Sequence, residues 1–159
     1  MKEVMLASAS PRRVEILKNH GIEPRVMPAD VEELADTSAP PHIVCMHNAL
    51  KKALFVEKLT ASGIVLAADT VVWDGRVLGK PKSDSEAFEM LSELRNRTHS
   101  VMTGVALIDV WSGEKRAFYD RTEVSFGDYS DEDIRDYIAT GEPADKAGSY
   151  AIQGEWARF

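Results

Sequence analysis

Ile64-Val65-Leu66-Ala67-Ala68-Asp69-Thr70-Val71-Val72-Trp73-Asp74-Gly75-Arg76-Val77-Leu78 decides how this chain is built. Its first five residues are an unbroken apolar run, the pattern of a buried strand. That strand is expected to end at Asp69-Thr70. Val71-Val72-Trp73 and Arg76-Val77-Leu78 then flank Asp74-Gly75, a dipeptide that favours tight primed turns, so this half reads as a hairpin.

Outward from this stretch, helical and extended patterns alternate. Towards the N-terminus, Ile43, Met46, Leu50, Ala53, Leu54 and Phe55 recur at helical spacing, and a long amphipathic helix is expected to about Ala61, with Gly63 breaking it. The acidic and then Pro-rich stretch 30–41 reads as a mobile loop. Arg25-Val26-Met27 is a second short strand. Val4-Met5-Leu6-Ala7 is a third, and it runs into a helix with Ser10 as N-cap, Pro11 at the first position and Gly21 at the end. Towards the C-terminus, Ala87, Met90, Leu91 and Leu94 mark a helix. Two longer strands, 101–111 and 118–126, surround Ser112-Gly113. Ser130 caps a last helix that Gly141-Glu142-Pro143 ends. Early alternation and later hairpins predict a mixed α/β sheet.

Composition narrows the function. The 159 residues suit one domain. A net charge of −7 argues against a general nucleic-acid surface, which needs a basic footprint. Cys45 is the only cysteine, so neither an intramolecular disulfide nor a multi-cysteine metal site can form, and a reducing cytosol is expected. The longest apolar runs fall short of the roughly 20 residues that cross a bilayer. A cytoplasmic protein without membrane partners is the reading.

Four constellations can carry chemistry. In Ser8-Ala9-Ser10-Pro11-Arg12-Arg13 a strand feeds two hydroxyls and a helix start with two guanidiniums. Free N–H groups there suit phosphate, and arginine adds bidentate hydrogen bonds. The same pattern also describes an ordinary capped helix with exposed arginines. Asp69-Thr70 follows a buried strand, where an acid can hold a metal or polarise water, or merely form an Asx turn. Lys51, Lys52, Lys80 and Lys82 supply cations, and each alone also reads as a surface lysine. Glu32-Glu33 offers oxygen ligands for Mg²⁺, or is an acidic loop. Neither Walker A nor G-x-G-x-x-G is present. His20, His42, His47 and His99 lack metal-site spacing and read as structural or surface groups. Trp73, Trp111 and Trp156 read as packing residues.

Taken in order, these segments resemble the Maf family, the septum formation inhibitor-like proteins. The resemblance runs through Ser8-Ala9-Ser10-Pro11-Arg12-Arg13, Glu32-Glu33, Lys52-Ala53, Ala68-Asp69-Thr70-Val71-Val72 and Leu78-Gly79-Lys80-Pro81. It continues through His99-Ser100-Val101-Met102-Thr103-Gly104-Val105, Gly141-Glu142-Pro143, Asp145-Lys146-Ala147-Gly148 and Tyr150-Ala151-Ile152-Gln153-Gly154. It implies an elongated mixed α/β fold like that of the inosine triphosphate pyrophosphatases. It also implies a nucleoside triphosphate pyrophosphatase that cleaves between the α and β phosphates. Residues 145–154 resemble the dTTP/UTP branch, with removal of non-standard pyrimidine nucleotides as one use.

The resemblance also implies roles. Asp69 would accept the proton of the attacking water. Ser8, Ser10, Arg13, Lys52 and Lys80 would hold the triphosphate. Glu33 and Asp69 would hold a divalent metal, Mg²⁺ or Mn²⁺. Arg12, Thr70 and Gln153 would read the pyrimidine, and Gln153 suits this because its amide both donates and accepts. A single domain over residues 1–159 acting as a homodimer is expected, without the further C-terminal strand and helix that family members carry. The other reading is a nucleotide-binding regulator of cell division that does not turn its ligand over.

Overall fold

The apolar run at residues 64–68 is part of β3 (Ile64–Trp73), which does not end at Asp69-Thr70 but continues unbroken to Trp73. An Asx turn would have folded the Asp69 carboxylate back onto its own backbone. Side chains of a helix take that carboxylate instead, and nothing interrupts the strand. The computed structural model describes residues 2–34 and 38–159. Within the loop expected at 30–41, Ala35, Asp36 and Thr37 therefore lie outside the described residues.

β1 (Val4–Leu6) runs parallel to β3, with Val4 opposite Ile64 and Leu6 opposite Leu66. β2 (Arg25–Val26) lies parallel to β1 on its other side. β4 (Val77–Leu78) pairs antiparallel with the end of β3, through Val72–Leu78 and Trp73–Val77. The hairpin is present, but residues 74–76 separate the last pair, so its connection is one residue longer than a two-residue turn. β5 (Thr98–Asp109) and β6 (Lys115–Ser125) complete a six-stranded mixed sheet of order β2-β1-β3-β5-β6. β6 is one edge, and Lys115, Arg116, Asp120, Arg121 and Glu123 blunt it against pairing with other chains.

The helices follow their caps. α1 (Pro11–Asn19) begins where the Ser10 hydroxyl accepts the Arg13 N–H, with Pro11 in the first turn. α2 (Pro41–Glu57) stops about a turn short of Ala61, because Thr60 and Ser62 engage each other locally ahead of Gly63. α3 (Asp84–Leu94) is capped by Ser83. α4 (Asp131–Ala139) carries a full capping box between Ser130 and Asp133. Three short 3₁₀ turns, Glu142–Asp145, Ala147–Ser149 and Glu155–Arg158, were not legible in the periodicity. Among the described residues, no helix is long and apolar enough to cross a membrane.

The chain divides into two compact units. Among the described residues, the first comprises 2–34, His42–Asp69 and Thr103–Asp120; the second comprises 38–41, Thr70–Met102 and Arg121–Phe159. In the first, Ala49, Ala53 and Val56 of α2 pack on Met5, Val65, Ala67, Ala106 and Ile108 of the strands. Small residues on α2 let the helix approach closely. At Gly104 the approach is closest: a Cβ there would run into the backbone of Cys45 and Met46. The Cys45 thiol is buried and free, and burial pushes its pKa up to about 11. The second unit gathers Leu78, Leu91, Leu94 and Ile134 with an aromatic group built around Trp156. Trp156 packs as expected, whereas Trp111 stands 86% exposed beside the β5–β6 turn.

Gly104→Ala is expected to destabilise the protein, because backbone atoms, unlike a flexible side chain, cannot step aside. Overpacking of this kind costs about 1–3 kcal/mol, read as a lowered midpoint in urea unfolding. Gly79→Ala, with open space around its Cα, is the control. Equal midpoints for the two variants would show that the α2–β5 approach is not tight.

Candidate active site

Side chains alternate along β3, so Asp69 shares a face with Val65 and Ala67, the face that packs on α2. Asn48 and Lys52 lie four residues apart on α2 and therefore project from one side of it. They meet the Asp69 carboxylate. Asn48 Nδ2 donates to Oδ2 at 3.2 Å and Lys52 Nζ donates to Oδ1 at 3.2 Å. Lys52 also reaches Glu33 Oε1 at 3.0 Å, so one ammonium stands between two carboxylates. Asn48 holds the Glu33 segment as well: its Oδ1 accepts the Leu34 N–H at 2.7 Å and its Nδ2 donates to the Leu34 carbonyl at 3.1 Å.

Burial of Asp69 raises its pKa above the usual carboxylate value, and the Glu33 charge adds to this. Lys52 and the Asn48 hydrogen bond pull the other way. Arg13 faces the same charges. Burial lowers its pKa, opposed by Asp69 and Glu33. Its guanidinium donates to the Ala68 carbonyl at 3.0 Å and to Ser8 Oγ at 3.1 Å. The Ser10 N–H in turn donates to Ser8 Oγ at 3.2 Å. Register explains this proximity, since the Ala7 N–H donates to the Leu66 carbonyl and carries Ser8 alongside the end of the apolar run.

Six of the expected residues thus come together in the first unit: Ser8, Ser10, Arg13, Glu33, Lys52 and Asp69. Arg12 lies on the exposed side of α1, 3.8 Å from Glu15. Thr70, Lys80 and Gln153 belong to the second unit. Thr70 is half-buried in β3, and Lys80 and Gln153 are exposed. The backbone next to Lys80 is anchored, because the Gly148 N–H donates to the Gly79 carbonyl at 3.1 Å. Gly148 has φ +69°, and a Cβ there would collide with Val72, which accounts for glycine at the end of Asp145-Lys146-Ala147-Gly148. Asn48 was not anticipated. The available signal was a polar residue on the apolar face of α2, one turn before Lys52.

Among the described residues, no group of three or more His, Cys, Asp or Glu side chains could hold a metal ion by itself. The donor set nonetheless fits a hard divalent cation. Two carboxylates, Glu33 and Asp69, already flank one positive charge, and Mg²⁺ commonly takes one or two protein carboxylates and fills its other positions with water and phosphate.

The family model described as Maf-like protein matches residues 3–159. The chain belongs to the Maf family. This Maf chain is 49% identical over its full length to a Bacillus cytotoxicus protein named dTTP/UTP pyrophosphatase, covering 83% of that protein. It is 45% identical over its full length to a Bacillus cereus protein of the same name, covering 78% of it. A third protein of that name, from Bacillus thuringiensis subsp. konkukian, is 44% identical over the full chain, which covers 83% of it.

Lys52→Met removes the ammonium bonded to the buried Asp69 carboxylate and leaves it beside the like charge of Glu33, with Arg13 as the remaining nearby cation. Breaking a buried pair in this way costs up to about 3–5 kcal/mol. The sign with pH follows from the raised pKa. Loss of Lys52 raises it further, so the folded state binds a proton more readily than the unfolded chain, and the penalty is relieved as pH falls through the folded pKa. The stability gap between wild type and Lys52→Met is expected to be wider at about pH 8 than at about pH 5. A gap that does not change with pH would show that Asp69 is not the charge left unpaired.

Proposed function

We propose that this Maf protein is a dTTP/UTP pyrophosphatase, which hydrolyses the nucleotide to its monophosphate and pyrophosphate. The observation that carries the chemistry is the buried Asp69 carboxylate, bridged through Lys52 to Glu33 beside the N-terminus of α1. The pyrimidine substrates rest on the names of the relatives and on the resemblance of residues 145–154 to that branch.

In this mechanism a water oxygen attacks the α-phosphorus, the bond to the bridging oxygen of the β-phosphate breaks, and pyrophosphate leaves. Asp69 takes the proton of the attacking water. Its raised pKa suits it, since a general base works best with a pKa near the working pH. Ser8, Ser10, Arg13, Lys52 and Lys80 bind the triphosphate and offset its charge. A divalent cation, Mg²⁺ or Mn²⁺, held by Glu33 and Asp69, would neutralise phosphate charge. Arg12, Thr70 and Gln153 select the base. We take residues 1–159 as one catalytic domain. The lone buried cysteine supports a cytoplasmic setting and the acidic net charge argues against nucleic acid as partner, while a homodimer follows from the family resemblance.

Asp69→Asn keeps the shape of the side chain and removes the base. Turnover of dTTP is expected to fall by about 10²–10⁴-fold, with nucleotide binding by calorimetry largely retained. Turnover near the wild-type rate would remove Asp69 from the mechanism. Binding of dTTP by the wild-type protein without any pyrophosphate release would favour the regulatory reading instead.

Across dTTP, UTP, CTP, ATP, GTP and 7-methyl-GTP, kcat/KM is expected to be highest for dTTP and UTP. A site that hydrogen-bonds its own base leaves those groups unpaired against another, and discrimination can reach about 10⁴-fold. Gln153→Ala should flatten this preference more than it slows the reaction. A wild-type preference for ATP or 7-methyl-GTP would sink the pyrimidine assignment and leave the pyrophosphatase chemistry standing.

A further inference from the structure

Gln153 is exposed on a turn that the Gly154 N–H closes onto the Ala151 carbonyl at 3.0 Å. Both ends of this turn are anchored in the aromatic core of the second unit. After it, Trp156 is 1% exposed and stacks on Tyr137 with ring centroids 4.6 Å apart. Before it, the Ala151 N–H donates to the Tyr137 hydroxyl at 3.1 Å. One residue earlier, the Tyr150 hydroxyl lies 2.6 Å from His99 Nε2. His99 is 3% exposed and Tyr150 6% exposed, and both rings pack edge-on against Phe126.

The His99–Tyr150 bond is unusual for a core contact. Burial lowers the pKa of His99 and raises that of Tyr150, so both are neutral at neutral pH. Among the described residues, His99 Nδ1 is buried with no hydrogen-bond partner. An apolar pair of the same shape would pack here without leaving a polar atom unsatisfied. What the polar pair adds is direction. Stacking lets a ring slide, whereas a hydrogen bond between a strand residue and the phenol fixes where Tyr150 sits along β5. The three residues that follow it inherit that placement.

We propose that His99 and Tyr150 are a positioning pair for base selection: their buried hydrogen bond sets the turn that presents Gln153, and so the preference for pyrimidine over purine nucleotides. The proposal rests on the assignment of Gln153 to the base. His99 and Tyr150 act through Gln153 and carry no part of the bond cleavage, so their loss acts on KM and on selectivity before it acts on kcat.

Tyr150→Phe removes only the hydroxyl, and His99→Phe keeps an aromatic ring while removing the nitrogen on the other side of the same bond. Each is expected to lower the dTTP-to-ATP ratio of kcat/KM by about 10–100-fold, the scale on which small misplacements act. The loss falls mainly on KM for dTTP, and the double variant is no worse than either single one. Tyr129→Phe is the control. It deletes another buried phenol hydrogen bond of the same core, to the Leu91 carbonyl, and should lower the thermal midpoint while keeping the wild-type ratio. If wild type prefers dTTP and neither Tyr150→Phe nor His99→Phe changes that ratio, the positioning role is overturned and the base assignment survives. It is equally overturned if Tyr129→Phe erodes the ratio as much, since general loosening of the core then explains the effect. A wild-type enzyme with no preference overturns the assignment of Gln153, and the positioning role with it.

Discussion

A carboxylate sits inside a β-strand, on the face that packs against a helix, and the first unit is arranged around keeping it there. Left alone, Asp69 would protonate or expel itself to water, because burying an unpaired charge is far more costly than burying a methyl group. Lys52 and Asn48 prevent this, one supplying charge and the other a neutral donor. They can do so because α2 crosses β3 close enough for side chains four residues apart to meet one residue of the strand. That closeness depends in turn on Ala49, Ala53 and Gly104.

The same compensation organises the neighbouring segments. Lys52 is shared with Glu33, and Asn48 clasps both the N–H and the carbonyl of Leu34, so an otherwise irregular stretch is tied to the helix at two points. Arg13 donates to the carbonyl immediately before Asp69, which brings the start of α1 to the same place. The result is a cluster of positive donors around a carboxylate with a raised pKa. This arrangement stores little net stability, since buried ion pairs roughly break even against their desolvation. In the proposed mechanism its value lies in poise: cations suited to phosphate oxygens surround a base suited to water.

The second unit follows a different principle. Its core is aromatic, and the segments after α4 carry short 3₁₀ turns in place of longer helices or strands. Phenol hydroxyls stand in for a ladder: Tyr137 takes a backbone N–H, Tyr129 donates to a backbone carbonyl, and Tyr150 pairs with His99. An aromatic ring with a polar tip can be buried and still direct a loop. Here that property gives fixed ends to an exposed turn.

Much of this was legible in the chain itself. Local rules placed α1 through Ser10 and Pro11, α4 through Ser130, the β3–β4 hairpin and the alternation that makes a mixed sheet, because caps, turns and apolar periods act over a few residues. Local patterns already marked Ser8, Arg13, Glu33, Lys52 and Asp69 as candidates, and the resemblance of ordered motifs named the family and implied their roles. Only the tertiary structure decided that β3 runs through Asp69, since the strand persists on account of partners from α2, not on account of its neighbours in sequence. It also decided that Asn48 belongs beside Asp69 and that His99 is bonded to Tyr150, 51 residues away. Nothing local distinguishes a buried asparagine or histidine that holds a distant group from one that does not. That difference exists only once the chain has brought the partner within about 3 Å, where a hydrogen bond has direction.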